Sequence, residues 1–124
     1  MNYSVAVEKT FSAAHALRGY KGKCERLHGH TWKVRAVLSG TRLNKLGMLT
    51  DFTEIKALLD EILAAVDHRY INEVPPFDTV NPTAENIAMY IYKQLAAKPR
   101  IFKGVRLAEV TVWESETSSA TVRQ

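Results

Sequence analysis

Three histidines carry the strongest chemical signal in the sequence. His28 and His30 stand two residues apart with only Gly29 between them, in a stretch that alternates polar and apolar side chains. Residues i and i+2 of a strand project to one face, so both imidazoles can turn a nitrogen toward a single ion about 2 Å away. His15 ends a second alternating stretch and can supply a third nitrogen if the two strands pair. Three histidines with an open fourth position make the pattern of a catalytic zinc, whereas structural zinc is usually closed by four ligands that include cysteines. The competing reading, three unrelated packing histidines, would require a separate hydrogen-bond partner for each ring.

Further reactive groups lie near these histidines or at the ends of elements. Cys24 is four residues before His28, between Lys23 and Glu25. It can be a fourth ligand, a nucleophile, a general base or an inert small hydrophobe; its charged surroundings favour a reactive thiolate over an inert one. The basic loop Arg18, Lys21, Lys23 and Arg26 suits phosphate oxygens, although a solvated loop is the commoner meaning of such a block. Asp67 and His68 follow a helical segment, where a histidine can either complement the helix dipole or shuttle a proton with the carboxylate orienting its ring. Glu114 shares an alternating face with Val110 and Val112. It is either an exposed strand-end glutamate or a carboxylate suited to the paired N–H groups of an amino-pyrimidine edge.

The elements that must position these groups follow from periodicity. Residues 3–13 alternate with Tyr3, Val5, Val7, Lys9, Phe11 and Ala13 on one side, and His15 continues that face; residues 28–38 alternate with His28, His30, Trp32, Val34, Ala36 and Leu38 inward. Met48–Phe52 reads as a short extended piece. Asp51 and Glu54 have capping-box spacing before a helix over 53–66 with Ile55, Leu58, Leu59, Ile62, Leu63 and Val66 on its apolar side. Pro82 and Thr83 lead into a second helix over 83–97, followed by strands over 105–114 and 120–123. Strand, strand, helix, helix, strand, strand predicts an α+β fold with an antiparallel sheet and two helices on one face.

At 124 residues, 46% apolar and 24% charged, the chain reads as one domain over 1–124 with a real core. It has no apolar run long enough for a spanning helix and no signal-peptide pattern at its start, so no membrane partner and a cytoplasmic location are expected. One cysteine permits no internal disulfide. The net charge of +4 suits an anionic partner. A phosphorylated small molecule is favoured over nucleic acid, because no aromatic-basic recognition motif of a nucleic-acid fold is present. The remaining alternatives from other functional classes are a zinc hydrolase and a non-catalytic basic binding module.

The motifs FSAAH at 11–15, CERLHGH at 24–30, DF at 51–52, VDHRYIN at 66–72, NPTAEN at 81–86 and VWES at 112–115 resemble the 6-pyruvoyltetrahydropterin and 6-carboxytetrahydropterin synthase superfamily over nearly the whole chain. The resemblance implies a tunnelling (T) fold, with the sheet closed into a barrel by oligomerisation. It implies a homohexamer of two trimers with active sites at subunit interfaces. It further implies zinc on His15, His28 and His30, proton transfer by Cys24, Asp67 and His68, and a pterin anchor at Glu114. Thr83 would help line the pterin pocket, although its position equally suits a plain helix cap. Lys23 and Arg26 would receive the triphosphate. The spacing C-x-x-x-H-G-H resembles the carboxy branch, which serves queuosine biosynthesis and releases acetaldehyde and triphosphate from 7,8-dihydroneopterin triphosphate. The pyruvoyl branch and a folate branch acting on dihydroneopterin phosphates are the alternatives.

Overall fold

In a computed structural model, residues 1–22, 25–98 and 103–124 are described. Strands β1 (Tyr3–His15), β2 (His28–Gly40), β3 (Val105–Ser115) and β4 (Ser118–Arg123) form an antiparallel sheet in the order β1-β2-β3-β4. Helices α1 (Phe52–Leu63) and α2 (Ala84–Ala96) pack on one face, as the sequence order predicts. No helix among the described residues is long and apolar enough to cross a membrane.

The core lies between sheet and helices. Val7, Phe11, Trp32, Val34, Ala36, Leu38, Val110 and Val112 meet Ile55, Leu59, Ile87, Ile91 and Leu95 from the helices, so the period-two and period-3.6 apolar stripes close on each other. Lys9, on the same strand face, reaches past the core edge to place its ammonium 3.1 Å from Asp60. Leu58 is only partly buried at the margin of α1.

Local departures from the expected pattern have local causes. Helix α1 ends at Leu63 because the following backbone tightens to i→i−3 bonds, Ala65 N to Ile62 O and Val66 N to Leu63 O, which still bury Val66. In place of the short extended piece expected over 48–52, Leu49 and Thr50 form a bend and Phe52 opens α1. Asp51 caps that helix through Thr53, whose backbone N–H and hydroxyl both donate to it, in place of the expected pairing with Glu54. These two bonds hold the Asp51 carboxyl below its ordinary range. Two bulges break the alternation of β3. One lies opposite Val37/Leu38 and turns both Leu107 and Val110 inward; the other falls between Trp113 and Ser115, at Glu114.

Candidate metal centre and active site

Pairing of β1 with β2 sets His15 directly opposite His28 and Ala13 opposite His30, which brings the three imidazoles together at one end of the sheet. Trp32, fully buried and stacked on Phe11, floors the cluster, with its ring centroid 4.9 Å from His15 and 5.3 Å from His30. The bulge on β3 adds Glu114. Donor atoms of His15, His28, His30 and Glu114 all lie within 4.8 Å of one another, a set able to hold a metal ion.

The hydrogen bonds behind the rings decide which nitrogens face inward. His15 Nδ1 is 2.7 Å from the Pro82 carbonyl oxygen, and His28 Nδ1 is 2.7 Å from that of Arg26. A carbonyl oxygen only accepts, so both Nδ1 atoms hold protons and, in the neutral rings, both Nε2 atoms present lone pairs. Those two Nε2 atoms stand 3.0 Å apart. Facing lone pairs at that distance repel unless a positive charge lies between them, so the donor set fits a bound cation. His30 Nε2 is buried without a hydrogen-bond partner, which a metal ion would also relieve. Burial pushes the His30 pKa down from its ordinary 6.5; neighbouring His15 and His28 act in the same direction and Glu114 opposes them. Its ring is therefore neutral near pH 7 and free to ligate.

A clamp of asparagines fixes the chain that leaves His15. Asn72, in the 3₁₀ turn Ile71–Glu73, accepts from Ala16 N at 2.9 Å and donates to Ala16 O at 2.8 Å. Asn81 makes the same exchange with Arg18, at 2.9 Å in each direction. The Arg18 guanidinium donates to the carbonyl oxygens of Asn72 and Phe77, tying the two asparagine segments together. Because Pro82 follows Asn81, the clamp holds the carbonyl that orients His15. Sequence reasoning missed Arg18, Asn72 and Asn81 as positioning residues. The available signal was two asparagines in irregular segments, where side-chain amides commonly satisfy main-chain groups.

Beside the metal centre lies a cleft of about 170 Å³ lined by His15, Leu17, Thr83, Glu85, Glu114 and Ser119, among others. Thr83 caps α2 by accepting from Asn86 N at 3.1 Å, so the cap reading holds and the residue also faces the cleft. Glu85 and Ser119 were missed by the sequence reading; an acid in the first turn of a helix reads as a dipole partner, and Ser119, at the start of β4, is one of several serines and threonines in a polar stretch.

Asp67 and His68 bond to the outer edge of β1, the side away from β2. Asp67 Oδ1 accepts from Ser12 N at 3.0 Å and lies 2.9 Å from His68 Nδ1, and these contacts, the Ser12 bond foremost, hold its carboxyl below the usual range. His68 has φ 57°, donates its backbone N–H to Ser12 O, and leaves its ring 81% exposed. The two residues thus form a carboxylate–imidazole pair, outside the histidine cluster. Arg26 is exposed, and its described contribution to the centre is the carbonyl that holds His28. Cys24 and Lys23 lie outside the described residues.

An antiparallel four-stranded sheet backed by two helices, carrying three histidines and a carboxylate at one end, defines a T-fold protein with a metal-competent centre. The chain belongs to the 6-pyruvoyl tetrahydropterin synthase family, whose model matches residues 4–124. It is 36% identical over 120 residues to a putative 6-carboxy-5,6,7,8-tetrahydropterin synthase of Archaeoglobus fulgidus, covering 97% of this chain and 95% of that one. With the 6-carboxy-5,6,7,8-tetrahydropterin synthase of Synechocystis it shares 39% identity over 93 residues, 71% of this chain and 70% of the relative. The solved 6-pyruvoyl tetrahydropterin synthase of Caenorhabditis elegans superposes with a TM-score of 0.88 at 28% identity, covering 100% of this chain and 96% of that one.

Proposed function

We propose that the protein is a zinc-dependent lyase that converts 7,8-dihydroneopterin triphosphate and water to 6-carboxy-5,6,7,8-tetrahydropterin, releasing acetaldehyde and triphosphate, in 7-deazaguanine and queuosine biosynthesis. The observation that carries this reading is the pair of inward-facing Nε2 atoms on His15 and His28, joined by His30 beside a cleft. The names borne by the Archaeoglobus and Synechocystis relatives support the carboxy branch.

His15, His28 and His30 would hold the zinc. When bound, zinc would supply Lewis acidity toward the hydroxyl oxygens of the substrate side chain. The chain's own groups do the rest. Glu114 accepts the amino-pyrimidine edge with its two oxygens, Thr83 contributes a hydroxyl, and the ring is thereby set within reach of the base. Cys24, as thiolate, removes the proton next to the ring, and His68, oriented by Asp67, handles the second proton. Lys23 and Arg26 receive the triphosphate. The exposure of the Asp67–His68 pair supports a role toward a ligand or subunit beyond its own chain, and we take the assembly to be a homohexamer of two trimers.

The test supplies 7,8-dihydroneopterin triphosphate to the zinc-loaded protein and identifies the products. Acetaldehyde with 6-carboxytetrahydropterin is expected, and Cys24→Ala should keep zinc while losing about a hundredfold to ten-thousandfold in turnover. A pyruvoyl product without acetaldehyde would overturn the branch. Loss of zinc in Cys24→Ala would make the thiol a ligand and overturn its role as base.

A further inference from the structure

Glu114 occupies two environments at once. Its Oε1 lies 2.9 Å from His30 Nε2, 3.3 Å from His15 Nε2 and 3.9 Å from His28 Nε2, while the same side chain lines the cleft. The 2.9 Å approach to His30 lacks the alignment of a hydrogen bond, and His30 Nε2 has no other partner. Close approach without hydrogen-bond alignment is what donors sharing a cation show. Ligands about 2.0 Å from a tetrahedral zinc stand about 3.3 Å from one another. The separations of 2.9, 3.0, 3.3 and 3.9 Å among these four atoms bracket that edge length. The bulge at Glu114 gives the side chain this position, because an unpaired residue is re-aimed relative to the regular pleat.

We infer that Glu114 is the fourth metal ligand of the substrate-free protein and leaves the metal when a pterin enters the cleft. This inference deepens the lyase reading, in which Glu114 binds the pterin ring. Ligation through the inward oxygen competes with the paired N–H groups of an amino-pyrimidine, which need both carboxylate oxygens turned into the cleft. Pterin binding therefore draws Glu114 off the metal and opens the fourth position to the substrate's hydroxyl oxygens in one movement. Closed coordination also keeps the metal tightly held between turnovers, since every ligand then belongs to the protein.

The test loads the wild-type chain, Glu114→Gln and Glu114→Asp with Co²⁺, without any pterin, and reads metal affinity and the visible d–d spectrum, with circular dichroism to confirm folding. Removing partners one shell further out commonly costs tenfold to a hundredfold in affinity, so loss of a direct ligand should weaken Co²⁺ binding at least about tenfold. Both variants should show this loss and a changed spectrum, because the shorter Asp keeps the charge but draws its oxygens back by one methylene. Unchanged affinity and spectrum in Glu114→Gln would overturn the inference, as would full retention of both in Glu114→Asp, which would reduce the effect to charge. Adding 7,8-dihydroneopterin to wild type should then shift the spectrum; an unshifted spectrum at saturating pterin would overturn the exchange. The Co²⁺ arm contains no substrate, so its failure is separate from failure of the lyase reading, which the product assay decides.

Discussion

Replacing Asn72 by alanine tests whether the clamp behind His15 governs the metal centre. Asn72 is only 6% exposed and makes two reciprocal bonds with Ala16, the residue after a metal-facing histidine. Each such bond contributes about 0.5–1.5 kcal/mol, and an orphaned buried donor or acceptor costs about 1–3 kcal/mol. Ala16 is itself buried, so its N–H and C=O would lose their partners together. A total near 2–4 kcal/mol follows, which for a chain of this size lowers Tm by on the order of 10 °C. Loosening Ala16 also frees the His15 ring from the geometry that holds its Nε2 inward, so metal affinity should fall about tenfold to a hundredfold. Thermal denaturation of the metal-free protein and competitive chelator titration read the two effects separately. Asn72→Asp keeps an acceptor for Ala16 N–H and loses the donor to Ala16 O, so it should fall between wild type and Asn72→Ala in both. An Asn72→Ala protein with Tm within about 2 °C of wild type and unchanged metal affinity would refute the reasoning.

Thr83→Ala should lower stability by about 0.5–2 kcal/mol through loss of the α2 cap, and Thr83→Ser should restore it; denaturant titration reads both, and pterin binding that falls in Thr83→Ala but returns in Thr83→Ser supports a hydroxyl contact in the cleft. For the metal-free protein, His30 predicts a pH effect with a defined sign. Its folded pKa is lowered, so the unfolded chain takes up the proton first; its contribution is fully present above about 6.5 and is lost as pH falls through the folded value. Stability measured by urea titration from pH 7.5 to 5 should therefore decline more steeply in wild type than in His30→Gln, and parallel declines would remove His30 as the cause.

Much of the centre was legible because strand periodicity is local. His28 and His30 share a face through a spacing of two, and His15 continues the inward row of β1, so three candidate ligands could be named before any pairing was known. The apolar stripes of both helices and the strand order were legible for the same reason: they follow from the chemistry of near neighbours. The tertiary structure decided what depends on groups distant in sequence. Only the β1–β2 register sets His15 opposite His28, and only the approach of Pro82, 67 residues away, determines which His15 nitrogen faces the cluster. Alternation put Glu114 on the inward face, but the bulge that carries its oxygen among the histidines arises from how β3 pairs with β4. Asn72 and Asn81 act through main-chain groups of Ala16 and Arg18, 56 and 63 residues away. A hydrogen bond of that kind leaves no periodic mark in the sequence, because it depends on the folded path of two segments and not on the spacing within either.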